Sequence, residues 1–202
     1  MDPVRTVPRI TCIVSERDDL AQLPALADAG VDGFQVRAKT YDGRALLALV
    51  RDVAAAVRPH GATVIVNDRL DVALAAGVDG VHLGAADLPV AEARRIAPDL
   101  LIGATCRTRA AVEQAATAGA DYAGFGPVFA TTSKPGLPDP LGTDAVASAA
   151  GVLPLVAIGG IDAGNARTVR EAGAHGVAVI SGIWRQPDPV QAAKELLARC
   201  GG

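Results

Sequence analysis

The chain has 202 residues, of which 50% are hydrophobic and 3% aromatic, with a formal net charge of -3. That length allows one sizeable core, near the lower limit of ~200 residues for an eightfold α/β barrel. The weak charge gives no reason to expect a nucleic-acid or membrane-surface partner. No apolar run reads as a signal peptide or a membrane span. Cys12, Cys106 and Cys200 are odd in number and share no metal-ligand spacing, so free thiols and a cytoplasmic location are expected.

A core so poor in aromatics must be built from Ala, Val, Leu and Ile, which suits parallel strands covered on both faces by helices. In chain order, a strand is predicted over 9–15 and a helix over 18–29, where Pro24 blurs the helix start. The same alternation gives 33–37 then 42–58, 63–67 then 69–76, and 79–83 then 89–97, which opens beside Pro89. It continues with 101–105 then 108–118, 121–125 then 143–150, 154–158 then 163–172, and 176–180 then 188–199. The phrase Ala-Gly-(Val/Ala)-(Asp/His) recurs with its glycines at Gly30, Gly77, Gly119 and Gly173, separated by 47, 42 and 54 residues. Each instance closes an Ala-rich amphipathic segment and precedes an apolar run, the place where a left-handed Gly ends a helix. Eight alternating units imply parallel strands with right-handed crossovers, and the lack of a long insertion favours one domain over residues 1–202, an α/β (β/α)₈ TIM barrel with eight parallel strands.

The polar residues gather at the predicted strand exits, the face where such barrels place their sites. Gln35, Arg37 and Lys39 alternate, so period two sends them to one side, either towards an anion or into solvent. Asn67-Asp68 ends the third strand, and Asp87 lies just past the fourth. Each could be an ordinary helix cap. Two carboxylates on adjacent exits also suit Mg²⁺, which commonly takes one or two of them together with waters and substrate phosphate oxygens. With Arg37 and Lys39 beside them, the set fits a diphosphate–metal complex. The segment 130–142 has three prolines and no apolar periodicity, and it reads as a lid or clamp bearing Thr131, Thr132, Ser133 and Lys134. Gly159-Gly160 after the seventh strand and Ile180-Ser181-Gly182 after the eighth stand where these barrels bind phosphate.

His82, within a strand, reads as a hydrogen-bonded interior side chain, and His60 and His175 fall on the opposite face. Cys106 could border the site. No nucleophile–base pair is visible, which argues against acyl transfer and hydrolysis.

In order along the chain, Gln35-Val36-Arg37-Ala38-Lys39, Asn67-Asp68, His82-Leu83-Gly84 with Asp87, Gly126-Pro127-Val128-Phe129 leading into Thr131-Thr132-Ser133-Lys134, Ala157-Ile158-Gly159-Gly160-Ile161 and Ile180-Ser181 resemble the motifs of the thiamine phosphate synthase family. The resemblance implies a transferase of thiamine biosynthesis that joins hydroxymethylpyrimidine diphosphate to a thiazole phosphate and releases pyrophosphate. It implies that Gln35, Arg37, Lys39, Asn67, Thr105 and Lys134 hold the pyrimidine diphosphate, with Arg37, Lys39 and Lys134 neutralising the leaving group. Asp68 and Asp87 would bind Mg²⁺, and Thr131, Thr132, Ser133, Gly160, Ile180 and Ser181 would hold the thiazole phosphate. The partners expected are these small molecules, with self-association into a homo-oligomer left open.

The chain departs from the family's pattern at Thr105-Cys106-Arg107, where Ser-x-His is usual, at Ala85, where Gln is usual, and in the order of the Thr-Thr-Ser-Lys lid. Rival readings are a thiazole tautomerase-like paralogue, a non-catalytic binder of thiamine precursors, and an isomerase of phosphorylated sugars or indoles. The tautomerases rely on the His that is Arg107 here, and a guanidinium is no general base. A sugar or indole isomerase would use the Gly159-Gly160 and Ile180-Ser181 anchor but leave the Asp68–Asp87 pair unexplained.

Overall fold

The computed structural model describes residues 6–131, 136 and 138–200. Among these, eight strands form one sheet: β1 (Ile10–Val14), β2 (Gly33–Val36), β3 (Thr63–Asn67), β4 (Gly80–Leu83), β5 (Leu101–Cys106), β6 (Tyr122–Phe125), β7 (Leu155–Ile158) and β8 (Gly176–Val179). Every neighbouring pair is parallel, and β8 returns to β1 with Val179 opposite Cys12, so the sheet closes into a barrel without an edge. The helices around it are α1 (Leu23–Asp28), α2 (Gly43–Val57), α3 (Leu70–Ala76), α4 (Val90–Ile96), α5 (Arg109–Thr117), α6 (Gly142–Ala149), α7 (Ala166–Glu171), α8 (Ser181–Trp184) and α9 (Pro189–Cys200). The (β/α)₈ expectation is met, with strand ends within a residue of those predicted. None of the described helices is long and apolar enough to cross a membrane.

The repeated phrase explains the regularity. Gly30, Gly77, Gly119 and Gly173 all have positive φ, between 62° and 105°, and turn a helix end into the next strand. Two residues later an aspartate reaches back to the strand before. Asp32 accepts the backbone N–H groups of Arg9 and Ile10 at 2.9 and 2.7 Å, Asp79 that of Val64 at 2.8 Å, and Asp121 that of Ile102 at 2.7 Å. Each carboxylate thus fastens the start of an even strand to the start of the odd strand beside it. At partly exposed strand starts such bonds stabilise by about 0.5–1.5 kcal/mol each. In the fourth phrase His175 meets the Val7 carbonyl at 2.9 Å instead.

Three helices differ from expectation for local reasons. Residues 20–22 form a 3₁₀ turn capped by Asp19, and α1 then starts with Pro24 in its first turn, where the missing N–H costs nothing. α7 begins at Ala166 because Asp162 and Asn165 build a side-chain-bonded turn ahead of it. α8 is four residues long, too short for a periodic signal.

Alternation along the strands divides the core. Val14, Val36, Val66, Ile102, Ala104, Cys106 and Phe125 pack under the helices, while Ile13, Ile65, Leu101, Tyr122, Val156 and Ala178 fill the barrel. Gly103 and Gly124 make room there. A Cβ on Gly103 would collide with the Tyr122 ring, and one on Gly124 would lie 2.6 Å from the His82 ring.

Candidate active site

At the exit of β2 and β3, the buried Gln35 amide donates to Asn67 Oδ1 at 2.8 Å. Lys39, beyond β2, bonds the Asp68 carboxylate. Asp68 adopts φ 66°, the one positive φ outside glycine among the described residues. Aspartate tolerates this region better than most residues, at a cost of about 1–2 kcal/mol. Its N–H donates to the His82 carbonyl at 2.7 Å, which turns the chain so that the carboxylate faces β4. There Asp87 is held by the Gly84 N–H at 2.7 Å and meets the Asp68 carboxyl. The helix-cap readings of both aspartates are set aside: α3 starts behind Arg69 and α4 behind Pro89, neither with a side-chain cap.

Two carboxyls in contact cannot both stay ionised cheaply. Burial, together with the Asp68 carboxyl, raises Asp87 above the usual carboxylate range. Burial opposes ionisation of Asp68 too, but bonds from Lys39 and Asp87 and the charges of Lys39 and Arg37 outweigh it and hold Asp68 below that range. The pair therefore crowds like charge, with Asp87 pushed towards its protonated form and Asp68 favoured as the carboxylate by two nearby cations.

Inside the mouth, His82 Nε2 lies 3.0 Å from Thr105 Oγ1 and its Nδ1 lies 3.1 Å from the Tyr122 hydroxyl. Burial lowers the His82 pKa to about 4, so the ring is neutral near pH 7 and orients Thr105 rather than titrating. The expectation of a hydrogen-bonded interior histidine holds. Tyr122 escaped the sequence reading, because its bond spans 40 residues and depends on strand register.

On the far side of the mouth, backbone approaches backbone. Gly159 and Gly160 have φ of 98° and 64°. A Cβ on Gly159 would strike Pro127, one on Gly160 the Ala130 carbonyl, and one on Gly182 the Ile161 carbonyl. Asn165 Nδ2 ties the Gly160 carbonyl at 2.8 Å, and Trp184 Nε1 ties α8 to the Ile13 carbonyl at 2.9 Å. Both anchors were missed from sequence; side chains on a short turn and a short helix carry no periodic signal. Ile180 and Ser181 open α8, the short extra helix that barrels of this architecture use beside the eighth strand. Thr131 stands at the root of the loop after β6, while Thr132, Ser133 and Lys134 lie outside the described residues.

One residue is not where the sequence suggested. Cys106 does not border the site: Thr105 faces the mouth, so period two turns Cys106 under the helices, where burial pushes its thiol up to about 11. Arg107 is engaged by the carbonyls of Gly126 at 3.2 Å and Asp139 at 3.0 Å.

Residues 7–183 match the family described as thiamine monophosphate synthase. A thiamine-phosphate synthase of Methanoculleus marisnigri is 50% identical over 90% of this chain and 86% of its own length. A thiamine biosynthesis bifunctional protein of Symbiobacterium thermophilum is 52% identical over 87% of this chain, which spans only 37% of that longer protein. The solved thiamine phosphate pyrophosphorylase of Pyrococcus furiosus superimposes with a TM-score of 0.87 at 32% identity, covering 95% of each chain. The barrel, its strand-end residues and these relatives agree: the chain belongs to the thiamine monophosphate synthase family.

Proposed function

We propose that the barrel is a Mg²⁺-dependent synthase that joins hydroxymethylpyrimidine diphosphate to a thiazole phosphate. The bond from the pyrimidine methylene carbon to the diphosphate oxygen breaks, a bond from that carbon to the thiazole nitrogen forms, and pyrophosphate leaves. The observation that carries this reading is the Asp68–Asp87 pair beside Lys39 and within the field of Arg37. A divalent cation suits that pair, since it would relieve the crowding of two carboxyls and take over part of Lys39's role. Among the described residues no group of three or more His, Cys, Asp or Glu converges, so the two carboxylates fit an ion that completes its shell with water and substrate phosphate. When bound, Mg²⁺ would offset charge building on the departing diphosphate.

The chain's own residues supply the rest. Arg37, Lys39 and Lys134 neutralise the leaving group. Gln35 and Asn67, locked to each other, and Thr105, oriented by His82, line the pyrimidine side. Thr131, Thr132, Ser133, Gly160, Ile180 and Ser181 seat the thiazole phosphate and bring its nitrogen to the electron-poor carbon. The apolar filling below, with Ile158 and Ile180 packed against it, limits the water that could compete for that carbon. Such a reaction needs no protein nucleophile, in keeping with the burial of Cys106.

A tautomerase would need a group that titrates near neutral pH at position 107, and Arg107 is bound to two carbonyls instead. The test is incubation with both substrates and Mg²⁺ while following pyrophosphate and thiamine phosphate. Equal amounts of the two are expected. Isomerised thiazole phosphate without pyrophosphate would refute the synthase reading.

A further inference from the structure

We infer that Arg107 is a positioning residue for the thiazole-phosphate half of the site, acting by pinning both limbs of the loop between β6 and α6. The inference rests on the synthase reading for its ligand, but its geometry stands separately. Arg107 follows β5 and donates from one guanidinium nitrogen to the Gly126 carbonyl, 3.2 Å away, and from the other to the Asp139 carbonyl, 3.0 Å away. Gly126 begins the outgoing limb, which runs along the exit of β7 through Val128 N–H to the Ile158 carbonyl at 2.8 Å and Phe129 N–H to the Gly159 carbonyl at 3.0 Å. Asp139 belongs to the returning limb, which closes on the outgoing one through Leu141 N–H to the Pro127 carbonyl at 2.9 Å and Gly142 N–H to the Val128 carbonyl at 3.0 Å.

One planar, permanently charged fork therefore spans both limbs from a third strand. A guanidinium suits this, with five donors in fixed directions and no acceptor to leave unpaired. An imidazole has two donors at most, on opposite edges of a small ring, and an ammonium is a point donor that serves one such carbonyl well. The outgoing limb supports the late rim directly: Ala130 packs so closely on Gly160 that a Cβ there would strike its carbonyl oxygen. Thr131 is the next residue. Loosening the limb would move the Gly159-Gly160 turn and Thr131 together, and leave the Gln35–Asn67 and Asp68–Asp87 groups on the opposite side where they are.

The test compares wild type with Arg107→Gln and Arg107→Lys by steady-state kinetics for each substrate, and by amide hydrogen exchange at Leu141 and Gly142. The expected result for Arg107→Gln is a KM for the thiazole phosphate raised about tenfold or more, a KM for the pyrimidine diphosphate within about twofold, and a smaller change in kcat. Arg107→Lys should recover part of the lost affinity. Exchange at the two amides should quicken in Arg107→Gln whether or not substrate is present. Equal shifts of both KM values, or unchanged exchange, would overturn the inference. If wild type makes no thiamine phosphate, it is the synthase reading that fails, and the exchange rates still decide whether Arg107 holds the loop.

Discussion

At the N-terminal ends of the strands Asp32, Asp79 and Asp121 each accept backbone N–H groups from the neighbouring strand, whereas at the C-terminal ends Asp68 and Asp87 turn their carboxyls on each other. The first set repeats with the βα units and relieves strand starts of unpaired donors. The second breaks the repeat: Asp68 sits at a positive φ that no cap requires, and Asp87 is driven towards its protonated form, first by burial and then by its partner. One residue type thus stabilises the barrel at one end and is held at a cost at the other. Strain and like charge that stability does not explain are expected where a ligand repays them.

Substitutions should separate the two ends. The largest effect is expected at the top. Asp68→Asn and Asp87→Asn should each lower turnover by about 10²–10³-fold, with a double variant little worse than either single one, because either change would disable the same proposed cation site. Asp87→Asn should not lower the melting temperature, since it ends the carboxyl conflict, and Asp68→Asn should lower it only slightly, since asparagine also tolerates φ 66° but gives up the charge pairing with Lys39. A matching loss of stability would place Asp68 and Asp87 with the structural set. At the bottom, Asp32→Ala leaves two strand-start N–H groups without their acceptor and should cost about 1–3 kcal/mol, or about 2–4 °C of melting temperature per kcal/mol in a domain of this size. Its kcat at a temperature where it is folded should stay within about twofold of wild type. A selective fall in kcat would blur the division.

The interior network between the two ends predicts a pH effect. His82 is half-buried at the mouth, and loss of solvent there lowers its pKa to about 4, against 6.5 when unfolded. The unfolded chain therefore takes up a proton first as pH falls. The stability His82 contributes is complete above about pH 6.5 and is lost progressively down to about pH 4, by at most about 3 kcal/mol. Denaturant unfolding at pH 7 and pH 4.5 should show this slope in wild type and a flatter one in His82→Gln. Identical slopes would mean that His82 titrates normally.

Much of this was legible in sequence for a physical reason. The strands β2, β4, β6 and β8 were found within a residue because each follows a Gly that must end a helix, and Asp32, Asp79 and Asp121 ride on the same phrase. The members of the early rim were legible because β2 and β3 are consecutive, so Gln35 and Asn67 had to be neighbours. What stayed hidden depends on register between strands or on short turns: the Tyr122–His82–Thr105 chain, the Asn165 and Trp184 anchors, and the grip of Arg107 on carbonyls 19 and 32 residues away. Cys106 is a different case. Strict alternation from Thr105 already places it outside the barrel, against the expectation that it could border the site.

The most direct test of the division is calorimetric titration of wild type, Asp68→Asn and Asp32→Ala with inorganic pyrophosphate, each with Mg²⁺ and with EDTA. Wild type and folded Asp32→Ala should bind pyrophosphate with similar affinity only when Mg²⁺ is present, and Asp68→Asn should bind it about 100-fold more weakly, a difference of about 2.7 kcal/mol. Binding by Asp68→Asn as tight as that of wild type, or binding by wild type indifferent to EDTA, would contradict the assignment of the upper carboxylates to a metal–diphosphate site.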